Sequence, residues 1–189
     1  MLLERRSPMG DRDSGAVAVE TALVSMLLLT LLFGIVDSSF LLKDWLTVSA
    51  AARAGARMGS SEPRWTTFAQ DSADQVTNAI TGLNQANLQQ VWVYKAAYAT
   101  GLPLSGASCA TNCVKYKWDS TAKKLVLLSG SWPYLSQNAC PGPVEVRDVL
   151  GVYVKYTHSA PLGFFFNGAT VSESTVMWLE PSFATDCKP

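Results

Sequence analysis

Histidine is almost missing from this chain: His158 is the one such residue in 189. Its scarcity excludes every multi-histidine metal site and leaves a single group for histidine-based catalysis. Charge is scarce as well. Asp, Glu, Lys and Arg make up 16% of the residues, against roughly 25% in ordinary soluble domains. With 48% apolar residues, a disordered, highly charged chain is excluded. An excess of either sign is also lacking, since 15 Lys and Arg balance 15 Asp and Glu. No basic field gathers nucleic acid, which is therefore not expected as a partner. At 20.4 kDa, the chain has room for one core and an appendage rather than two full domains.

What is present is unevenly placed. Residues 16–36, AVAVETALVSMLLLTLLFGIV, are nearly continuous apolar sequence with Glu20 as their one charged side chain. As a helix this run rises about 32 Å, close to the hydrocarbon core of a bilayer. It reads as a single transmembrane helix. Arg5, Arg6 and Arg12 precede it, whereas the first cation after it, Lys43, stands beside Asp44. The positive-inside rule then puts the N-terminus in the cytoplasm and exports everything after Val36. A cleaved signal peptide fits less well: the run exceeds the usual 7–15-residue core, and the small-residue stretch from Ser49 lies beyond Asp37, Lys43 and Asp44. Arg5 and Arg6 lack the flanking pattern of a twin-arginine signal.

All four cysteines, Cys109, Cys113, Cys140 and Cys187, fall on the exported side. An even count in an oxidising compartment implies two disulfides. Zinc is the rival, but the spacing lacks the paired C-x-x-C of zinc ribbons. Of three possible connectivities, local reach and the tying down of the C-terminal tail favour Cys109 with Cys113 and Cys140 with Cys187. The other two stay open.

Glu20 is the most informative residue, because a carboxylate within a membrane span is costly and marks a functional site by default. Its place near the cytoplasmic edge allows some relief by snorkelling. Upstream of it stand Ser14, Gly15 and four small apolar residues, Ala16, Val17, Ala18 and Val19, after a short charged leader. This arrangement resembles the type IV prepilin processing site, which implies cleavage between Gly15 and Ala16 by a prepilin peptidase, with Glu20 fifth in the mature chain. The resemblance implies that Glu20 pairs with the new α-amine of a neighbouring subunit. GAVAVETALVSMLLLTLLFGIVD, followed by Ala51-Ala52-Arg53-Ala54-Gly55-Ala56-Arg57, is similar to the TadE-like family of minor pilins from tight-adherence (Tad) pili. Val152, Val154 and Tyr156, and later VSESTVMWLEP, resemble that family's closing strands. The position after the glutamate, often aromatic in these pilins, is Thr21 here.

Beyond the span, Leu41, Trp45, Val48, Ala52, Gly55 and Gly59 recur at three- and four-residue steps and predict that the helix continues to about Met58. Arg53 and Arg57 share another, solvated face. Ser61-Glu62-Pro63 breaks and restarts the chain, and Trp65, Phe68, Ser72, Val76 and Ile80 predict a second, amphipathic helix. Strands are expected over residues 91–99, 114–118, 125–128, 144–157 and 169–179, with Asp119 and Ser120 turning a hairpin. The expected fold is α+β and pilin-like: a long N-terminal transmembrane helix continuing into an exported head, a second amphipathic helix and an antiparallel sheet. Its divisions are a leader (1–15), a span (16–36), an exported helix continuation (37–60) and a globular head (61–189).

Trp92, Trp118, Trp132 and Trp178 are expected between sheet and helix. Phe164-Phe165-Phe166 sits in a turn-rich loop and reads equally as a subunit contact, a membrane-surface patch or a lid over its own core. His158 has no nucleophile motif around it and is expected at the surface of a strand end. No catalytic, cofactor or metal site is expected, nor a small-molecule substrate. The resemblance implies a minor pilin or pseudopilin in the cytoplasmic membrane or a surface pilus. Its implied partners are the membrane, the peptidase, a Tad assembly platform with its ATPase, a major pilin and other minor pilins. The alternative is a permanently anchored single-span envelope protein whose exported domain binds a ligand or partner.

Overall fold

A run of residues with good helix propensity and no proline, from Asp11 to Ser61, forms one unbroken helix, α1 (Asp11–Ser61), about 76 Å long at the usual rise. The computed structural model describes residues 11–142, 147–160, 163 and 165–182. Arg5 and Arg6, residues 144–146 of the expected fourth strand, Phe164 and Cys187 lie outside them. The helix starts within the leader, five residues before the expected start at Ala16.

The second helix, α2 (Phe68–Ala79), begins later than its apolar spacing predicts. Arg64 takes a left-handed backbone (φ 64°), which turns the chain after Pro63 and leaves Trp65 exposed. From Phe68 onward the predicted stripe holds, with Phe68, Ser72 and Val76 buried and Ile80 buried at the C-cap. Asn84 then caps a single 3-10 turn, its side chain accepting from the Ala86 N–H, and feeds the chain directly into β1 (Leu88–Ala96). That cap moves the first strand three residues ahead of the expected position.

The remaining strands are β2 (Cys113–Asp119), β3 (Lys124–Ser131), β4 (Val149–Thr157) and β5 (Thr170–Trp178). They make one antiparallel five-stranded sheet in the order β3-β2-β1-β4-β5. The hairpin between β2 and β3 turns on Asp119, whose carboxylate accepts from the N–H groups of Thr121 and Ala122 at 2.8 and 3.0 Å. These two bonds hold its carboxyl below the usual range. After β3 a crossover puts the next strand, β4, on the other side of β1 from β2 and β3. An ion pair of Lys95 with Asp148 (2.7 Å) and a bond from the Asp148 N–H to the Asn138 carbonyl (2.8 Å) fix that crossover to β1.

Both faces of the sheet are covered. Alternate residues Val91, Val93, Val152 and Val154 meet Val48, Ala52, Ala56, Phe68, Val76 and Ile80 of the helices in the main core. A bulge between Leu88 and Gln90 puts Leu88 on the same face. Full burial of each such aliphatic side chain contributes about 1.5–3 kcal/mol. On the other face Tyr94, Ala96 and Val149 pack with Cys109 and Cys113 beneath residues 97–112. The tryptophans accordingly divide, against the expectation of one helix-side set. Trp132 is buried edge-on to Phe68 (5.4 Å) and Trp118 borders that core, whereas Trp92 and Trp178 lie on the far face. Burial raises the Tyr94 and Tyr156 phenols above their ordinary value.

Helix α1 crosses α2 so closely that side chains are excluded. A Cβ on Gly55 would stand 2.6 Å from Val76 Cγ2 and 3.0 Å from the Ser72 carbonyl oxygen, and one on Gly59 2.9 Å from Leu150 Cδ1. The Ser72 hydroxyl donates to the Gly55 carbonyl at 2.8 Å and closes the crossing. In an exposed helix Gly→Ala gains about 1 kcal/mol. At Gly55 the overlap reverses the sign, and a net loss of about 1–3 kcal/mol is expected. Thermal unfolding of the detergent-solubilised chain should show Gly55→Ala melting lower than the parent by roughly 2–12 °C, taking about 2–4 °C per kcal/mol. Gly34→Ala, where the nearest atom is 3.9 Å away, should not lower the melting point.

Candidate functional site: the two halves of the long helix

Every residue from Gly15 to Leu32 is exposed, and the stretch is apolar enough to cross a membrane. Gly15, Ala16 and Glu20 lie on this half, inside the helix and exposed among the described residues. Ala16 and Glu20 are four residues apart and so share a face, about 6 Å apart along the axis. Gly15, adjacent to Ala16 in the chain, lies about 140° around the helix from Glu20. Cys109, Cys113 and Cys140 are not on this helix.

Burial begins abruptly at Asp37. The residues facing the head are Asp37, Leu41, Asp44, Val48, Ala52, Gly55 and Gly59, the predicted stripe with two carboxylates in its lower half. Trp45, which the sequence pattern put on that stripe, is 43% exposed at its edge, and its indole N–H donates to Glu173 of β5. Arg53 and Arg57 are exposed, Arg53 donating to the Ser49 hydroxyl at 2.9 Å.

Both carboxylates hold the connection between β4 and β5. His158, directly after β4, is 1% exposed, and its Nδ1 lies 2.7 Å from Asp44 Oδ2. The expected surface histidine is thus a buried one, because its strand end is turned onto α1 where Asp44 supplies a partner. Asp37, fully buried, accepts from the Phe165 N–H at 3.1 Å. Among the described residues, Asp37 Oδ1 and His158 Nε2 are buried without a partner. Sequence reasoning missed Asp37 and Asp44. Their signal was a seven-residue spacing in phase with Leu41, Val48 and Gly55, which places acids on a buried face.

Cys109 and Cys113 form a disulfide with Cα atoms 5.5 Å apart. Cys140 is disulfide-bonded, and Cys187 lies outside the described residues. Among the described residues, no three His, Cys, Asp or Glu side chains gather as a metal-binding group. On the far face of the sheet Trp92, Tyr94, Tyr153 and Pro103 line a cavity of about 260 Å³, with the Lys115 ammonium 5.1 Å above the Trp92 ring.

Residues 15–57 match the family model described as TadE-like protein. This segment of the chain is TadE-like. The match begins at Gly15, four residues into α1, and ends at Arg57, within the part of the helix that carries the head. The match does not extend to the sheet. No curated protein and no solved structure matches the chain.

The clasp between Asp44 and His158 is expected to carry stability for the junction of head and TadE-like helix. His158→Ala removes a buried hydrogen bond and leaves the Asp44 carboxylate unpaired, a loss of about 1–3 kcal/mol. Urea unfolding followed by near-UV circular dichroism should show the lower midpoint with an unchanged slope.

Proposed function

We propose that the protein is a minor pilin or pseudopilin. In this reading it is inserted in the cytoplasmic membrane with its N-terminus inside and its head exported. It is processed by a prepilin peptidase after Gly15, and it acts in the assembly or structure of a Tad-type surface pilus that mediates adhesion. One observation carries the reading: the TadE-like match starts at Gly15 and includes Glu20. The structure supplies a supporting fact, since every residue from Gly15 to Leu32, Glu20 among them, is exposed. A carboxylate so placed is costly in lipid and is stabilised by a partner from another subunit. Hydrolysis of the bond between Gly15 and Ala16 creates a free α-amine at Ala16, a cation of the right charge for Glu20 of a neighbour. The partners are then the peptidase, the assembly platform with its ATPase, the major pilin and other minor pilins, and the chain performs no catalysis of its own.

A second reading, a permanent single-span anchor with a partner-binding head, draws on the aromatic cavity formed by Trp92, Tyr94 and Tyr153. The N-terminal residue separates the two. Intact mass of protein purified from membranes with an active peptidase should give a chain beginning at Ala16, and Gly15→Leu should retain the leader. A chain beginning at Met1 would overturn the pilin reading.

Glu20→Leu separates insertion from assembly. Removing the carboxylate eases insertion, so the membrane level and leader cleavage should match the parent. In the filament it leaves a neighbour's amine without its partner, at a cost on the order of 3–5 kcal/mol. The variant should be lost from sheared pilus fractions, and its undiminished presence there would refute the role of Glu20.

A further inference from the structure

Phe165 and Phe166, in the connection between β4 and β5, lie beside α1 at a level that the membrane reading assigns to lipid. Phe165 is 55% and Phe166 37% exposed, yet the loop does not extend freely into solvent. The Phe165 N–H is held by Asp37 at 3.1 Å, and its ring lies 3.9 Å from where a Cβ on Gly34 would be. From there the ring forms a wall of two grooves along the span. Leu27, Leu31 and Ile35 line the first, whereas Met26 and Leu29 line the second. Counting the helical rise, the first groove reaches about 15 Å from Asp37 toward the N-terminus, to Leu27, and the second about 22 Å, to Ala22. Phe166 lines the first groove and continues upward beside Leu42 and Trp45.

Two conditions govern non-helical backbone at membrane depth: its polar groups must be satisfied within the protein, and its outer surface must be apolar. Among the described residues, this loop makes hydrogen bonds within itself. Gly168 N–H donates to the His158 carbonyl (3.0 Å), Ala169 N–H to the Phe166 carbonyl (3.1 Å) and His158 N–H to the Ala169 carbonyl (2.7 Å). Asp37 takes the N–H at the deepest described contact of the loop with the helix, which gives this buried carboxylate at the edge of the span a purpose. Phe165 and Phe166 present exposed rings without a polar handle, with the exposed Asn167 next in the chain, whereas Trp45, which has such a handle, stands higher on the helix near Lys43.

We propose that the Phe165–Phe166 turn is a membrane wedge, inserting its two rings among the acyl chains of the outer leaflet beside the span. The occupant is lipid because the rings continue the same apolar surface that residues 15–32 expose, with none of the span's most hydrophobic window buried. The wedge rests on the reading that this helix crosses a bilayer with the head outside. It seats the head directly on the membrane at two points, the helix and the turn, and so fixes the rotation of the head about the helix axis.

The full chain carrying p-benzoyl-phenylalanine at Phe165 or Phe166, reconstituted in phosphatidylethanolamine and phosphatidylglycerol liposomes and irradiated, tests this by mass. Leu28 serves as the reference inside the span. Leu135, exposed at the far end of the head near Arg64, serves as the reference outside it. The expected result is a mass increase of one phospholipid at positions 165, 166 and 28 and none at 135. Lipid adducts at 28 with none at 165 and 166, or crosslinks there only to a second copy of the chain, overturn the wedge and leave the span intact. Absence of lipid adducts at 28 overturns the span and the wedge together.

Discussion

One rigid helix has to satisfy two solvents, and the change from one to the other takes place within a turn and a half, between Leu32 and Asp37. From Gly15 to Leu32 every residue is exposed, and a hydrocarbon environment is the one that suits a run of leucines, valines and methionines. Above it, the same backbone supplies the floor on which a five-stranded sheet and a second helix are laid. The main core depends on the upper half, because Val48, Ala52 and Ala56 occupy the space between α2 and strands β4 and β5. Remove the helix and the sheet has an uncovered apolar face.

The residues at the change of solvent are not those that hydrophobic periodicity selects. Asp37 and Asp44 lie on the buried stripe because the strand connection they hold brings a backbone N–H and an imidazole to them. A buried acid without such partners costs more than it contributes. Their placement is therefore a statement about the far end of the sequence as much as about α1. Trp45 and Glu173 add a third polar contact along the same seam, and together these contacts tie β5 and its preceding loop to the helix.

Much of the architecture was legible in the sequence, and the reason is periodicity. Three- and four-residue steps gave both helices, and the alternation at Val152, Val154 and Tyr156 marked β4. Gly15 and Glu20 stood out because charge and small residues are conspicuous against an apolar run. What escaped was decided by contacts between distant segments. The burial of His158 depends on a residue 114 positions away. The division of the tryptophans depends on residues 97–112 folding over the second face of the sheet, and the late start of α2 on one left-handed residue, Arg64. Gly55 and Gly59 were visible as small residues in a stripe, but only the crossing with Ser72 explains why they must be small.

The absence of proline and of any interruption across Asp11–Ser61 has a mechanical consequence. A shaft without a hinge transmits axial load directly, so a pull on its membrane half reaches the head as shear along the Gly55 and Gly59 contact with α2. The head cannot lag behind by bending at a joint. Moving such a molecule along its own axis means carrying the sheet, both helices and the aromatic turn as a single lever, with the tightest interface placed where the load is delivered.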